Sequence, residues 1–530
     1  MSELDDVARK SARGSFYLFV GNFLSELINA VGAVLVARLL TPQEYGVYGL
    51  SFVLPGIFLL FSNWGIAEAL TRFLARYQAE GRWDDIRRMT RTGLLFNGSV
   101  AFILSLVMYA SADPLAAMAL ARPELGDLVR LTSALVIVHT VFTAASSVFF
   151  GLERMDLMAA MMVTQSIIKA SASPLLVKYG YGVSGAIAGH MISYTAVALL
   201  SVLLIFNCLR GKRAVARNDA GESSLRGMLG FGFPLFLGNF VGGVGLRYQG
   251  LLQAWFATDI AIGNLSIATK FKSLVGMFTV PIAWTLYPAF SKFDYKKQRK
   301  ELESMFKNSI RYATILVVPA MCLIIIMAEP LVVTLFGTGY VQAPFYLSLA
   351  LLEFLAVGLG SLSVIGFLNS QGDTRTTLHL NSVSVTLSVV LCTALTWRWG
   401  IPGLLMGVFL SKMAGFGYSL HRVSAKYGMR IDLAHTGRVA LFSAPSALLT
   451  FFLMDRVNIS NSFIHLALGS VVFLLACMLL APLTGAVDAR DLQTIRRILR
   501  RETALYPLVA PFLDLEEKIM RFVKSRPAGI

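Results

Sequence analysis

Seven fixed charges lie inside long apolar stretches of this sequence, where a charged side chain is costly to place. These residues are Glu26, Lys169, Arg247, Lys270, Lys272, Glu353 and Lys412. An ionisable group at the centre of a membrane helix costs roughly 2.5–3.5 kcal/mol, so each one needs a partner, a wet cavity or a function. Because bases outnumber acids, this interior favours a phosphate or carboxylate ligand and disfavours a cationic one.

Two of the bases are candidate phosphate-binding residues. The planar guanidinium of Arg247 suits a phosphate group, to which it can donate two parallel hydrogen bonds. Lys270 lies four residues after Ser266 and three before Ser273, so the three side chains share one stripe of a predicted helix. The two serines are therefore candidate cavity-lining residues.

Polar residues also follow one face of the first apolar segment. Asn22, Glu26 and Asn29 have the i, i+4, i+7 spacing of a helix stripe. Together with Asn239, the two asparagines complete the candidate cavity-lining set. Glu26 and Glu353 are candidates for coupling to an ion gradient or for internal ion pairing, and Arg247 or Lys270 would be the partner of Glu26.

The other ionisable residues of the apolar segments have structural interpretations. Lys272 lies on a different helix face from Lys270, and we expect it to snorkel or pack. Lys169 and Lys412 are as well explained by a structural role, capped by a polar neighbour, as by a functional one. His139 and His190 are typical of core histidines whose hydrogen bonds are satisfied.

The composition excludes several classes of protein. The chain has 530 residues, of which 56% are hydrophobic and 15% charged, with a mean hydropathy of +0.65. Soluble chains have about 25% charged residues. The net charge of +16 indicates an anionic membrane surface or substrate and not nucleic acid. Four widely spaced cysteines in apolar runs argue against disulfides and against a metal site.

A membrane-spanning helix needs about 20 mainly apolar residues, and the sequence has fourteen such segments. They lie near residues 16–38, 45–70, 93–112, 128–150, 159–177, 183–206, 231–253, 260–290, 310–330, 342–368, 378–397, 401–421, 439–455 and 463–481. With the N-terminus inside, 36 of the 47 Lys and Arg residues fall in inside segments and six in outside segments. The excess predicts that both termini are cytoplasmic.

The sequence repeats itself at an offset of 217 residues. Residues 16–23 (FYLFVGNF) match 233–240 (FPLFLGNF), and four more identities follow between residues 35 and 46. The glycine pattern that starts at Gly182 recurs at Gly400, at an offset one residue longer than 217. Six predicted spans separate the copies. This arrangement predicts parallel repeats about an axis along the membrane normal, with the substrate site at their interface.

The predicted fold is therefore an all-α polytopic membrane protein with two parallel-repeat six-helix bundles and a terminal helix pair. The boundaries place one lobe at 1–230, the second at 231–438 and the helix pair at 439–482. Residues 483–530 form a basic amphipathic pattern that predicts helices on the anionic cytosolic surface. A helix that binds a protein partner is the alternative for this tail.

The chain lacks the sequence features of a membrane enzyme or of a nucleotide-driven motor. It contains no GxxxxGK[ST] phosphate loop. Its longest predicted external loop, 113–127, is too short to hold a catalytic domain. We therefore expect a non-enzyme without a resident cofactor, with coupling to a proton or sodium gradient left open.

Four short motifs resemble a known family. They are residues 37–48 (ARLLTPQEYGVY), 151–154 (GLER), the Gly182-xx-Gly185 pair and residues 286–291 (LYPAFS). Together they resemble polysaccharide-biosynthesis, O-antigen-type flippases of the MOP exporter superfamily, which have a MATE-like fold. The resemblance implies a two-lobed transporter that moves lipid-(pyro)phosphate-linked oligosaccharide to the outer leaflet. The sequence departs from many relatives at Gln249, near which they have an aspartate. The resemblance therefore does not imply which ion, if any, drives transport in this chain.

The resemblance also implies a location and a set of partners. We expect a multi-pass protein of the cell inner or plasma membrane, monomeric, in contact with anionic lipids and with glycan-assembly enzymes. Lipid II flippases share the fourteen spans and the basic cavity and remain an alternative. A MATE-type cation-coupled drug antiporter is a second alternative, disfavoured by the basic interior. A membrane-embedded glycosyltransferase is the third, disfavoured by the short external loops.

Overall fold

The computed structural model of the chain describes residues 3–212, 225–293, 295, 297–457, 459 and 461–487, and beyond these only residues 493, 496, 514 and 517. All of the regular elements in these ranges are helical. The predicted basic tail, 483–530, lies outside the described residues from position 488 onward, except at those four positions.

Nineteen α-helices follow one another along the described chain. The first ten are α1 (Glu3–Leu39), α2 (Pro42–Leu50), α3 (Val53–Leu60), α4 (Ile66–Ala79), α5 (Trp83–Ala110), α6 (Ala112–Met118), α7 (Gly126–Gly151), α8 (Met155–Leu176), α9 (Gly182–Leu209) and α10 (Leu225–Phe256). The other nine are α11 (Asp259–Ser291), α12 (Arg299–Ile326), α13 (Ala328–Phe336), α14 (Ala343–Leu351), α15 (Leu355–Gly358), α16 (Ser361–Ser370), α17 (Thr374–Tyr427), α18 (Leu433–Arg456) and α19 (Ser462–Thr484).

Membrane-length helices dominate this architecture. Within the described residues, nine helices are long and apolar enough to cross a membrane, and a pair of helices bent by 52° would make a tenth. Two of the nine, Met155–Leu209 and Arg375–Tyr427, are 55 and 53 residues long, about twice the length that one span needs. The all-helical membrane fold is confirmed, and the count of fourteen spans stays a prediction.

Each of the two double-length helices bends at a glycine, and the sequence repeat relates these two glycines to each other. Gly182, at the start of α9, has φ 48° and ψ −134°. Gly400, inside α17, has φ 61° and ψ −137°. This backbone conformation is essentially restricted to glycine, which has no Cβ. The recurring glycine pattern therefore marks two equivalent bends between consecutive predicted spans.

Two predicted spans are interrupted helices in the structure. The segment 45–70 contains α2, α3 and the start of α4, and it breaks just before Gly65, which has φ 83°. The segment 342–368 contains α14, a 3₁₀ turn at Leu352–Phe354, α15 and α16, with a break at Gly360, where φ is 96°. Hydropathy alone does not register these interruptions, because the residues on both sides are equally apolar.

The outward faces of the long helices suit contact with lipid. On α5, Phe102, Ile103 and Leu106 are each more than half exposed, and on α9 so are Leu203 and Phe206. Exposed apolar surface of this extent is unfavourable in water and favourable against lipid tails.

The chain divides into two compact units. The first comprises Met1–Ser266 and Cys392–Leu404, and the second Ile267–Leu391 and Leu405–Ile530. Helix α10 thus belongs to the first unit, whereas the sequence repeat starts the second lobe at residue 231. The lobe boundaries inferred from the repeat stay a prediction.

Each unit has its own core. In the first unit, Leu70 and Leu74 of α4 are fully buried in one cluster with Phe149 of α7. In the second unit, Phe367 stacks edge-on against Phe290 and Phe306, with ring centroids 6.0 and 5.6 Å apart. Such aromatic contacts add directional packing to the burial of apolar area.

A two-fold symmetric contact joins α2 to α11 within the first unit. A Cβ on Gly46 would overlap the carbonyl oxygen of Asp259, and a Cβ on Gly263 would overlap that of Pro42. Gly46 and Gly263 are 217 residues apart, as are Pro42 and Asp259. In such an isologous contact each partner makes the same interaction as its counterpart, as expected where a two-fold axis relates duplicated helices.

We expect Gly46→Ala and Gly263→Ala to lower the midpoint of thermal unfolding of the purified protein by similar amounts, because each places a methyl group on a carbonyl oxygen. Overpacking of this kind typically costs about 1–3 kcal/mol. Gly98→Ala is the matched control, since a Cβ there meets no atom within 4 Å and alanine favours the helix. Unfolding midpoints that are the same in all three variants would contradict the close contact.

Candidate functional site

In the second unit, the carboxylate of Glu353 pairs with two lysines. Its Oε1 lies 2.9 Å from Lys272 Nζ, and its Oε2 lies 2.7 Å from Lys412 Nζ. The side chain of Glu353 is 13% exposed, whereas that of Lys412 is 52% exposed. We call these three residues the Glu353 cluster. One carboxylate holds two ammonium groups, so the cluster keeps a net positive charge that Lys412 presents at an accessible surface.

Three elements far apart in the sequence position this cluster. Lys272 is on α11, Lys412 is on α17, and Glu353 lies in the 3₁₀ turn between α14 and α15. Short 3₁₀ interruptions inside a helical span frequently mark functional hinges. The irregular turn thus places the carboxylate of Glu353 between a lysine of α11 and a lysine of α17.

The structure separates the two lysines of α11. Lys272, expected to snorkel or pack, is instead an ion-pair partner of Glu353. Lys270 is exposed and lies about 200° away around the helix. Ser273, one of the candidate cavity residues, donates its hydroxyl to the carbonyl of Thr269, 3.0 Å away on the same helix. The hydroxyl of Ser273 is therefore already hydrogen-bonded within α11.

In the first unit, Arg247 of α10 lies against the backbone of α3. A Cβ on Gly56 would lie 2.8 Å from Arg247 Nη1, so the guanidinium occupies space that only a glycine leaves open. Arg247 is exposed and forms no ion pair with any carboxylate that the structure describes. It interacts electrostatically with His139 of α7. A guanidinium without a carboxylate partner at membrane depth suits an anionic ligand.

His139 and His190 belong to a chain of ring contacts in the first unit, in which neighbouring rings are tilted against each other. The rings of Phe52 and His190 are 4.7 Å apart, those of His190 and Tyr194 5.2 Å, and those of Tyr194 and His139 5.0 Å. Both histidines are half-buried, and their interpretation as core residues with satisfied hydrogen bonds stays a prediction.

The polar stripe of α1 is divided between two environments. Asn22 and Glu26 are exposed, whereas Asn29 donates to the hydroxyl of Ser166 on α8 at 2.9 Å. The same serine hydroxyl lies 2.5 Å from that of Ser25. Glu26 forms no ion pair within the first unit as the structure describes it, and the alternative of a pair with Arg247 or with Lys270 stays a prediction.

The sequence reasoning missed one acid of the first unit. Glu68 of α4 accepts hydrogen bonds from Asn63, at 3.0 Å, and from Asn239 of α10, at 3.2 Å. Glu68 lies inside the predicted span 45–70, so its position alone could have identified it. The candidate residue Asn239 is therefore oriented by a carboxylate. Ser266, also a candidate, lies at the contact with Gly49 of α2.

The described residues contain no group of three or more His, Cys, Asp or Glu side chains that could hold a metal ion. Within these ranges, the ionisable groups of the spans include ion pairs, a hydrogen-bonded carboxylate, exposed cations and the exposed carboxylate of Glu26. Such an arrangement can bind and release an anion.

Two family sequence models match the chain. The model described as polysaccharide biosynthesis protein matches residues 35–344, and the model described as lipid II flippase MurJ matches residues 235–479. The first match covers more than half of the chain.

Individual proteins resemble the chain over most of its length. A probable low-salt glycan biosynthesis flippase of Haloferax volcanii is 22% identical over 86% of this chain and 93% of its own. The structure of a lipid II flippase MurJ in an inward closed conformation is similar with a TM-score of 0.69, 14% identity and coverage of 87% and 97%. The structure of an inward-facing multidrug resistance MATE family transporter of the MOP superfamily is similar with a TM-score of 0.61 and 16% identity. The match covers 76% of this chain and 95% of that one. These structural likenesses show a shared fold.

We expect Glu353→Gln to lower the midpoint of thermal unfolding markedly, because it leaves two ammonium groups facing each other. Removing one partner from a fully buried ion pair typically costs about 3–5 kcal/mol, and the exposure of Lys272 and Lys412 lowers the cost here. Lys412→Met is the matched control, since it leaves the pair of Glu353 and Lys272 in place and should cost less. A Glu353→Gln protein as stable as Lys412→Met would contradict the shared role of the carboxylate.

Proposed function

Because this chain belongs to the polysaccharide biosynthesis protein family, we propose that it is a flippase for lipid-(pyro)phosphate-linked oligosaccharide. It moves this substrate across the cytoplasmic membrane by alternating access, for the assembly of a surface polysaccharide or glycan. The activity is transport and not catalysis. A relative named as a glycan biosynthesis flippase, similar over most of both chains, supports this choice.

The observation that carries the proposal is the excess of cationic groups at membrane depth. Arg247 has no carboxylate partner among the described residues, and the Glu353 cluster holds two ammonium groups on one carboxylate. An anionic substrate offsets this positive charge, whereas a cationic drug adds to it. A pyrophosphate linkage supplies the required charge and the acceptor oxygens that a guanidinium binds bidentately.

We assign Arg247 and Lys270 to the phosphate groups of the substrate. Both residues are exposed in their own units. The accessible amide of Asn22 and that of Asn239, which Glu68 orients, suit sugar hydroxyls, because an amide both donates and accepts hydrogen bonds. Asn29 and Ser273 already bond to protein groups and contribute less to the binding surface.

The remaining assignments concern location, partners and coupling. The excess of basic residues in one set of loops supports cytoplasmic termini in the cell inner or plasma membrane. We propose a monomer that contacts anionic lipids and glycan-assembly enzymes. Glu26 is exposed without an ion-pair partner that the structure describes, so it is the acid best placed to respond to a proton or sodium gradient.

Lipid II is the second candidate substrate. The lipid II flippase model matches residues 235–479, which include Arg247, Lys270 and Glu353. Lipid II also carries its sugars on a lipid pyrophosphate, so the same cationic residues would serve it. The substrates differ in their sugars, and a transport assay with both distinguishes them.

We expect the purified protein in liposomes to expose a lipid-pyrophosphate-linked oligosaccharide to lectin on the far leaflet. Arg247→Gln and Lys270→Gln should each slow this exposure at least about tenfold, since a hydrogen bond to a charged group contributes about 1.5–3 kcal/mol. Arg91→Gln removes the same charge from an exposed position of α5 and is the control.

Two outcomes of this assay would overturn the assignments. Wild-type rates in both Arg247→Gln and Lys270→Gln would exclude the two residues from phosphate binding. Absence of lectin exposure, together with uptake of a cationic dye against a proton or sodium gradient, would move the protein to the drug antiporters. Faster movement of lipid II than of the oligosaccharide would favour the second candidate.

We expect Glu26→Gln to flatten the dependence of transport on an imposed proton or sodium gradient, because the amide cannot bind a proton or neutralise a cation. The measurement compares flipping rates in liposomes with and without each gradient. Glu153→Gln, which changes an exposed acid between two membrane-length helices, is the control. An unchanged gradient dependence in Glu26→Gln would remove this residue from coupling.

A further inference from the structure

A basic pocket lies in the second unit, apart from the Glu353 cluster. It has a volume of about 400 Å³ and is lined by Arg299, Glu303, Lys307, Ser424, Gly428 and Arg430. Small-molecule pockets commonly fall between about 300 and 1,000 Å³. Three cations and one carboxylate line it, so the pocket has a net positive charge.

Two of the cations have no carboxylate in direct contact among the residues that the structure describes. Lys307 Nζ lies 2.7 Å from Glu303 Oε1, one helical turn earlier on α12. Neither Arg299 nor Arg430 forms an ion pair with a carboxylate that the structure describes. Both arginines act electrostatically on Glu303 from longer range. The pocket thus places two guanidinium groups around a space whose one acid is already bound.

The guanidinium of Arg299 is held in position by its surroundings. It lies over the ring of Tyr295, 5.9 Å from the centroid, and the ring of Tyr295 packs edge-on against that of Tyr427 at 5.0 Å. Gly428, with φ 65°, follows Tyr427, and a Cβ at this position would overlap Arg299 Nη2. The glycine both permits the turn at the end of α17 and leaves room for the guanidinium.

The neighbouring lysine, Lys426, is bound elsewhere. Its Nζ lies 2.8 Å from Asp373 Oδ2, which also accepts a hydrogen bond from the Tyr427 hydroxyl at 3.1 Å. Although burial opposes the charged form, these hydrogen bonds, together with those from Thr376, hold the pKa of Asp373 below its usual value. Asp373 therefore stays ionised and keeps Lys426 paired, so Lys426 does not add its charge to the pocket, whereas Arg430 lines it.

From this arrangement we propose that the pocket binds a phosphate group. Paired guanidinium groups match the planar, bidentate geometry of phosphate oxygens, and the hydroxyl of Ser424 adds a donor. The predicted topology places segments 292–311 and 422–438 on the cytosolic side, where basic pockets beside membrane helices meet anionic lipid headgroups and soluble phosphates. Both sources present the same chemistry, and the site lies outside the residues assigned to transport.

The test uses the purified full-length protein in two arms. The first titrates inorganic pyrophosphate in detergent by calorimetry, and the second counts phosphatidylglycerol molecules retained by native mass spectrometry. We expect saturable binding in at least one arm, weakened about a hundredfold in Arg299→Gln/Arg430→Gln, because each charge-assisted contact contributes roughly tenfold. Arg422→Gln, which removes one charge from the same end of α17 outside the pocket lining, should bind as the wild type does.

Each result decides the proposal. Binding of pyrophosphate that requires the two arginines identifies a soluble phosphate as sufficient, and arginine-dependent retention of phosphatidylglycerol alone identifies a lipid headgroup. No saturable binding in either arm, or equal loss in the double variant and in Arg422→Gln, would overturn the proposal.

A second measurement does not depend on the folding of the double variant. Phenylglyoxal modifies accessible arginines, and peptide mass spectrometry of the wild-type protein reports which ones. Pyrophosphate or phosphatidylglycerol should protect Arg299 and Arg430 and leave Arg422 reactive, and unprotected Arg299 and Arg430 would contradict the site. Both readouts measure binding and not transport, so they are independent of the flipping assay.

Discussion

The cost of a charge in an apolar environment constrains this structure more than any other interaction. Glu353 meets that cost by binding Lys272 and Lys412 together, and Glu68 meets it with two asparagine amides. Arg247, in contrast, is left without a described carboxylate. Because a paired charge is already compensated and an unpaired one attracts a counter-ion, the distribution of partners separates structural charges from those available to a substrate.

Close backbone approach at glycine is the second physical principle of the fold. Gly46 and Gly263 let α2 and α11 meet through their backbones, and Gly56 makes room for the guanidinium of Arg247. Gly182 and Gly400 bend two long helices with nearly the same backbone angles. Small residues allow such packing in membranes, where van der Waals contact replaces the hydrophobic driving force between helices. Glycines thus allow the close helix contacts and bends of the fold, and one of them also leaves room for a charged side chain.

Periodicity and composition predicted the membrane fold well, because long apolar helices leave a strong signal that does not depend on tertiary contacts. The contacts of individual site residues were harder to predict from the sequence. The offset of Lys272 from Lys270 predicts that its side chain snorkels or packs, but it does not reveal the ion-pair partner, Glu353, 81 positions later. Glu68 went unrecognised inside an apolar segment. Asn29 shared a helix stripe with Glu26, but its amide bonds to Ser166 of another helix. Helix spacing assigns faces and cannot assign neighbours.

The sequence by itself determined the all-helical class, the membrane environment and the family, since hydropathy and the short motifs carry that information locally. It also contained the repeat, read from matches such as Gly46 with Gly263. Only the tertiary structure decided which charges are paired, where predicted spans break, and that Arg299 and Arg430 line one pocket. The reason is physical: a charge is stabilised by groups brought near it in space, and residues that meet there are separated along the chain by tens to hundreds of positions.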